Sequence, residues 1–220
     1  MTIFLSDRRQ ILRAGMALGL AGMLPLPLLT PVFAQVRALR PTPAQTEGPY
    51  YPDRMPADVD NDLVQVAGRP AAGAGTITHL TGRATDTRAA PLAGLTVEIW
   101  QCDAQGAYRH SRDPRGSGAD PNFQGYGRTV TAADGTYRFR TIQPVSYPGR
   151  TPHIHLAVSQ GMTRRLVTQV YIDGFAGNER DGVLRSAGDA EARALLLARF
   201  EPAPDLEAAA LRARFDIVLT

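Results

Sequence analysis

The 220-residue chain predicts an all-β fold: an antiparallel β-sandwich with an extended N-terminal arm and one short late helix. Three observations point there. Short runs with strand character recur through the second two-thirds of the chain, turn chemistry separates them, and only one stretch reads as a helix. Hydrophobic residues make up 44% of the sequence, enough for a real core in one domain of ordinary size.

Residues 35–75 are rich in Pro, Gly and Ala, and PTPAQTEGPYYPD reads as an extended arm. Pro41, Pro43, Pro49 and Pro52 disallow a regular helix there. AAGAG at 71–75 is a loop, and the sandwich is expected over 76–220. Its strands are TITHLTGRATD, LTVEIWQCD, GTYRFRTI, HIHLAVS, RLVTQVYID and RFDIVL. Alternation puts Leu95, Val97 and Ile99 on one face, and Tyr137, Phe139 and Thr141 on another. TRAAPLAG, AADG and GFAGN carry turn residues. The helix is expected over DAEARALLLARF at 189–200, with Asp189 as its cap.

Residues 1–34 have the layout of a bacterial export signal. Arg8 and Arg9 precede an apolar stretch, and Val32-Phe33-Ala34 offers a cleavage site. The arginine pair followed by Ile11 and Leu12 resembles the twin-arginine type, so the periplasm or the extracellular space is the expected location. A membrane anchor is the rival reading, but Gly15, Gly19, Gly22, Pro25, Pro27 and Pro31 weaken a spanning helix. After cleavage no stable membrane association is expected. Loss of three arginines and one aspartate takes the formal charge from +3 to +1. Neither value, nor the scattered basic residues, suits a nucleic-acid partner. Cys102 is the only cysteine, so no internal disulfide forms, and it reads as a small buried hydrophobe.

The chemistry gathers in RTPHIHLAV at 150–158. A strand sends every second side chain to the same face, so His153 and His155 emerge together, about 6–7 Å apart along the chain. Two imidazoles at that spacing suit zinc, copper, iron or plain structure. No carboxylate lies between Asp134 and Asp173, whereas Tyr147 stands six residues before His153, and Tyr108 follows the strand LTVEIWQCD. A phenol with a pKa of about 10 is held as phenolate near neutral pH only by a strongly Lewis-acidic ion such as Fe(III). Two phenolates and two imidazoles would leave that ion with one positive charge, favouring an anionic oxygen ligand such as a deprotonated diol. Spacing alone does not choose among these readings.

Several separate stretches, in order, resemble the intradiol ring-cleavage dioxygenases, especially the protocatechuate 3,4-dioxygenase branch. They are PTPAQTEGPYY, LAGLTVEIWQCDAQGAYRH, DPNFQGYGRTVTAADGTYRFRTIQP, SYPGRTPHIHLAV, LVTQVYIDG and RFDIVL. The likeness runs from about residue 41 to residue 220. It implies a mononuclear non-haem Fe(III) held by Tyr108, Tyr147, His153 and His155. Tyr147 would be the ligand that leaves on substrate binding and takes a hydroxyl proton. Arg150 matches an active-site arginine and Gln169 a hydrogen-bonding glutamine. The implied substrates are a catechol-type diol and O₂, giving a muconate-type diacid. The chain departs from the better-known enzymes in having only five residues between Tyr147 and His153, and in carrying Gly149 where a tryptophan is common. Both changes open the pocket and leave the catechol unidentified.

LTGRATDTRAAPLAGLTVEIW with TAADGTYRFRTI also resembles prealbumin-like binding modules, which need no such constellation of six side chains. Among the remaining residues, Trp100 is expected in or near the core, and His110 at the surface, with a place just behind Tyr108 as the alternative; the sequence names no partner for His79 or His110. Tyr50 or Tyr51 flanks the pocket, or both pin the arm to the sandwich. The arm at 35–60 can lie on its own sandwich or on a neighbour's, so a homo-oligomer is one expectation.

Overall fold

The structure, a computed structural model, describes residues 38–56 and 58–220; the expected export signal lies outside the described residues. Among the described residues, ten strands and two short α-helices follow one another: β1 (Ile77–Asp86), β2 (Thr96–Trp100), β3 (Tyr126–Val130), β4 (Thr136–Ile142), β5 (His153–Gln160), β6 (Thr163–Ile172), α1 (Gly182–Arg185), α2 (Ala190–Ala194), β7 (Leu197–Ala198), β8 (Phe200–Pro202), β9 (Leu211–Arg214) and β10 (Ile217–Leu219).

They form two sheets. In the first, β1 pairs antiparallel with β4 and parallel with both β9 and β10, and β8 closes the edge beside β9. The second has the order β3-β2-β5-β6-β7, antiparallel except for the parallel β6–β7 pair. The all-β expectation holds, but the purely antiparallel one does not: both sheets are mixed. The late strands return after a long excursion through the second sheet, so no tight hairpin dictates their direction. RFDIVL is broken between β9 and β10, where Phe215 N–H donates to the Thr81 carbonyl and the Tyr137 hydroxyl donates to the Phe215 carbonyl at 2.5 Å.

The expected helix over 189–200 is also corrected. Asp189 does cap it, accepting from Ala192 N–H at 2.7 Å, but α2 stops at Ala194. The next residues are captured as β7 and β8, with the Leu196 and Ala198 carbonyls accepting from Tyr171 and Asp173 N–H. A helix this short has little stability of its own, so sheet-edge hydrogen bonds and the complete burial of Leu196 decide the backbone.

The principal core fills the space between the sheets, with Leu80, Val97, Ile99, Phe139, Ile154, Leu156, Val158 and Val170 among its fully or almost fully buried members. Each such side chain contributes about 1.5–3 kcal/mol of burial free energy. A second cluster lies on the other face of β2, β3 and β5: Trp100, Cys102, Tyr108, Tyr126 and Ala157, with Tyr50, Tyr51 and Tyr147 packed against it. The arm covers this face of its own sandwich. Gln45 N–H donates to the Val167 carbonyl, Thr168 Oγ1 to the Pro43 carbonyl, and Gln169 Nε2 to the Thr46 carbonyl.

Candidate metal centre

Strand pairing sets out one row of side chains across the second sheet. Trp100 stands opposite both Tyr126 and His155, and His155 opposite Gln169. One step along, His153 stands opposite Tyr171. The row is therefore fixed by register before any metal is considered.

His155 is the most confined of the set. Its ring stacks on Trp100, centroids 4.9 Å apart and planes 5° apart. Gly48, at φ +72°, backs it: a Cβ there would lie 3.2 Å from His155 Cε1. A side chain at position 48 would thus be strained and would press on the imidazole. Nε2 of His155 faces Nε2 of His153 at 3.2 Å. Nδ1 of His153 lies 2.7 Å from the Thr151 carbonyl, which can only accept. The proton therefore sits on Nδ1, and Nε2 keeps its lone pair.

The two tyrosines reach the same point from loops. Tyr147, Pro148, Gly149 and Arg150 form a tight turn closed by Arg150 N–H donating to the Tyr147 carbonyl at 2.9 Å. Proline in the second position and Gly149 at φ +81° in the third are the residues such a turn demands. It brings Tyr147 Oη to 3.3 Å from His153 Nε2, and Arg150 Nη1 to the same distance. Tyr108 sits behind, its ring 5.6 Å from that of Tyr147 and nearly perpendicular to it. Its hydroxyl is buried and has no hydrogen-bond partner, which for a neutral phenol is a cost left unmet. Asp113 secures the Tyr108 backbone, accepting from its N–H at 2.7 Å.

The environment suits cation ligation. Burial, aided by the positive Arg150, pushes His153 down to about 4. Burial, His153 and Arg150 hold His155 well below the imidazole range. Both rings are thus neutral near pH 7, as ligation requires. Burial raises Tyr108 well above the ordinary phenol value, and burial also raises Tyr147 against the opposing pull of Arg150. Among the described residues no group of three or more His, Cys, Asp or Glu converges. The partners of the histidine pair are phenols, so only a strongly Lewis-acidic ion would make the set a tight site.

All six candidate residues come together. Arg150 Nη2 donates to Gln169 Oε1 at 2.5 Å and to the Tyr171 hydroxyl at 3.2 Å, and Arg150 Nε donates to Asp181 Oδ2 at 2.9 Å. Asp181, Tyr171 and Gly48 were not singled out by sequence reasoning. Asp181 lies 31 residues from Arg150, and no local pattern announces the contact.

The two neighbouring tyrosines divide the roles left open. Tyr50 stacks on Tyr108 at 4.6 Å and meets the Tyr147 ring edge-on. Tyr51 packs edge-on against Trp100 and donates to Glu98 Oε1 at 2.8 Å, anchoring the arm. His110 is not at the surface as expected; it is 6% exposed, against the edge of Tyr50. His79 Nε2 comes within 3.3 Å of the Glu207 carboxylate but makes no hydrogen bond among the described residues. A cavity of about 770 Å³ borders Tyr50, Trp100, Tyr108, His110 and Tyr126, and a second hollow opens beside Gly149, Arg150, Phe175 and Arg180.

The sandwich thus gathers two phenols and two imidazoles on one face, with an arginine beside them. A family model described as Dioxygenase matches residues 46–220. The chain is 37% identical over 179 residues to the protocatechuate 3,4-dioxygenase beta chain of Burkholderia cepacia, covering 78% of this chain and 76% of that one. It is 33% identical over 151 residues to catechol 1,2-dioxygenase 1 of Acinetobacter lwoffii, covering 60% of this chain and 47% of that protein. Among solved structures, the dioxygenase domain of a dioxygenase–carbohydrate-binding fusion from Streptomyces sp. SirexAA-E superposes with a TM-score of 0.62 at 30% identity, covering 82% of this chain and 98% of that domain. The chain belongs to the intradiol ring-cleavage dioxygenase family.

Proposed function

We propose that this chain is a mononuclear Fe(III)-dependent intradiol dioxygenase. It inserts both atoms of O₂ between the two hydroxyl-bearing carbons of a catechol-type substrate and releases a muconate-type diacid. The observation that carries this reading is the convergence of Tyr108, Tyr147, His153 and His155 beneath Arg150. The orphaned Tyr108 hydroxyl and the two facing Nε2 atoms are the donors such an ion would satisfy. Bound there, ferric iron supplies the Lewis acidity that keeps two phenolates and a chelated diol deprotonated near neutral pH.

The protein's own groups do the rest. Tyr147 sits on a half-buried turn rather than a strand, so it is the donor freest to swing aside and hold a substrate proton on its Oη. Tyr108 is locked by Tyr50 above and Asp113 below, and stays in place. Arg150 presents a fixed positive charge where electron density builds on the substrate oxygen. Gln169 holds Arg150 from across the strand pair. Gly149 lines the hollow beside Arg150, where the short Tyr147–His153 span leaves few residues to cover it. The export-signal layout of residues 1–34 supports a periplasmic or extracellular site of action. Relatives named as alpha and beta chains support assembly into an oligomer.

The purified protein should be wine-red, from phenolate-to-Fe(III) charge transfer, with about one iron per chain. Oxygen uptake across a panel of substituted catechols then identifies the diol. A colourless protein carrying zinc or no metal, inert towards every catechol, would sink the proposal.

A further inference from the structure

We propose that Asp181 is the positioning residue of the Arg150 guanidinium, holding it so that only its Nη1 edge faces the four-donor centre. The inference rests on the dioxygenase reading for its catalytic consequence, but its geometry does not. A guanidinium has five N–H donors. Three are spoken for: Nε donates to Asp181, and Nη2 donates to Gln169 and to Tyr171. The two on Nη1 remain, 3.3 Å from His153 Nε2.

Asp181 is suited to this because its carboxylate is wholly buried and every oxygen is used. Oδ1 accepts from Val183 and Leu184 N–H, both at 2.9 Å, and so caps α1. Oδ2 accepts from Arg150 Nε at 2.9 Å and from Thr151 N–H at 3.0 Å. The same Thr151 offers its carbonyl to His153 Nδ1. One carboxylate therefore ties the α1 segment to the orientation of both the arginine and the first histidine. Gln169 and Tyr171 bond only the Nη2 end; without Asp181 the guanidinium is free to pivot about that end.

Asp181→Asn separates the two jobs. The introduced amide oxygen still caps α1, but its NH₂ meets Arg150 Nε–H and Thr151 N–H, donor against donor. Circular dichroism should stay close to wild type, while the thermal midpoint falls because a buried ion pair is broken and two buried N–H donors lose their acceptor; the kinetics are read well below that midpoint. With the iron-loaded full chain, kcat should fall about 10–100-fold, with KM changed less than about threefold. In an Arg150→Ala background the same substitution should cost less than about twofold, because its target is gone. Losses that multiply instead, or an unchanged kcat, overturn the proposal.

The metal-independent measurement is hydrogen exchange of the Arg150 Nε–H, followed by ¹⁵N NMR in the iron-free full chain and assigned with Arg150→Lys. Exchange should be at least about tenfold faster in Asp181→Asn; equal rates overturn the clamp. A wild type inactive on all catechols, yet showing this release, sinks the proposed reaction and keeps the clamp.

Discussion

Strand β5 is buried on both faces, and the two faces are built from different chemistry. Ile154, Leu156 and Val158 point into the core between the sheets. His153, His155 and Ala157 point the other way, beneath the arm, beside Trp100, Tyr108 and Tyr147. The inner face is apolar and fully packed, and its role is stability. The outer face carries orphaned polar atoms at Tyr108 Oη and His155 Nδ1, which a fold selected for stability alone would not retain. Most of the orphaned buried atoms among the described residues gather at or beside this face, His79 Nε2 on the first sheet being an exception, and alternation along one strand separates the two purposes.

Substitutions on the two faces should therefore fail in different ways. The largest effect belongs to the outer face: His155→Ala should lower oxygen uptake by at least about a thousandfold and strip the iron, measured by metal analysis, with the β circular dichroism signal kept. Tyr108→Phe keeps the stack on Tyr50 and loses only the hydroxyl. It should bleach or shift the colour, weaken iron retention and cost about 10–100-fold in kcat. Normal colour and iron content in that variant would remove Tyr108 from the ligand set. On the inner face, Leu156→Ala should cost about 2–5 kcal/mol in denaturant unfolding, while the folded fraction keeps its iron and its specific activity. Loss of iron from the folded fraction would mean that the faces are not separable.

The smallest effect lies at the rim of the first sheet and serves as a control away from both faces. Arg140 donates to Glu207 through two nitrogens and holds that carboxyl below its ordinary value. A depressed carboxylate contributes stability above its unfolded pKa, about 4.3, and loses it as pH falls through the folded value. Urea midpoints should show Glu207→Gln less stable than wild type at pH 7, with the gap narrowing towards pH 3. Colour and activity should not follow it.

Much of this division was legible in advance, because period-two alternation is a local property. It placed His153 with His155, and Tyr137 with Phe139 and Thr141. The turn at Tyr147-Pro148-Gly149-Arg150 is equally local but is not among the turns expected from the sequence; it accounts for how Tyr147 and Arg150 come side by side. Elsewhere, local signals lost to distant ones. DAEARALLLARF has helical character, yet its second half pairs with β6 and β9 because free strand edges were there to receive it. His110 looks like a surface residue until the arm brings Tyr50 against it.

The sequence by itself determined the residue types, the strand periodicity and the order of donors: two phenols before two imidazoles, with an arginine between. Those depend on neighbours a few positions apart, where backbone geometry leaves few choices. Tertiary structure alone decided the parallel return of β9 and β10, the seating of Gly48 against His155, and the grip of Asp181 on Arg150. Each of these joins residues far apart in the chain, and such contacts form only when two sheets and the arm pack together around a shared core.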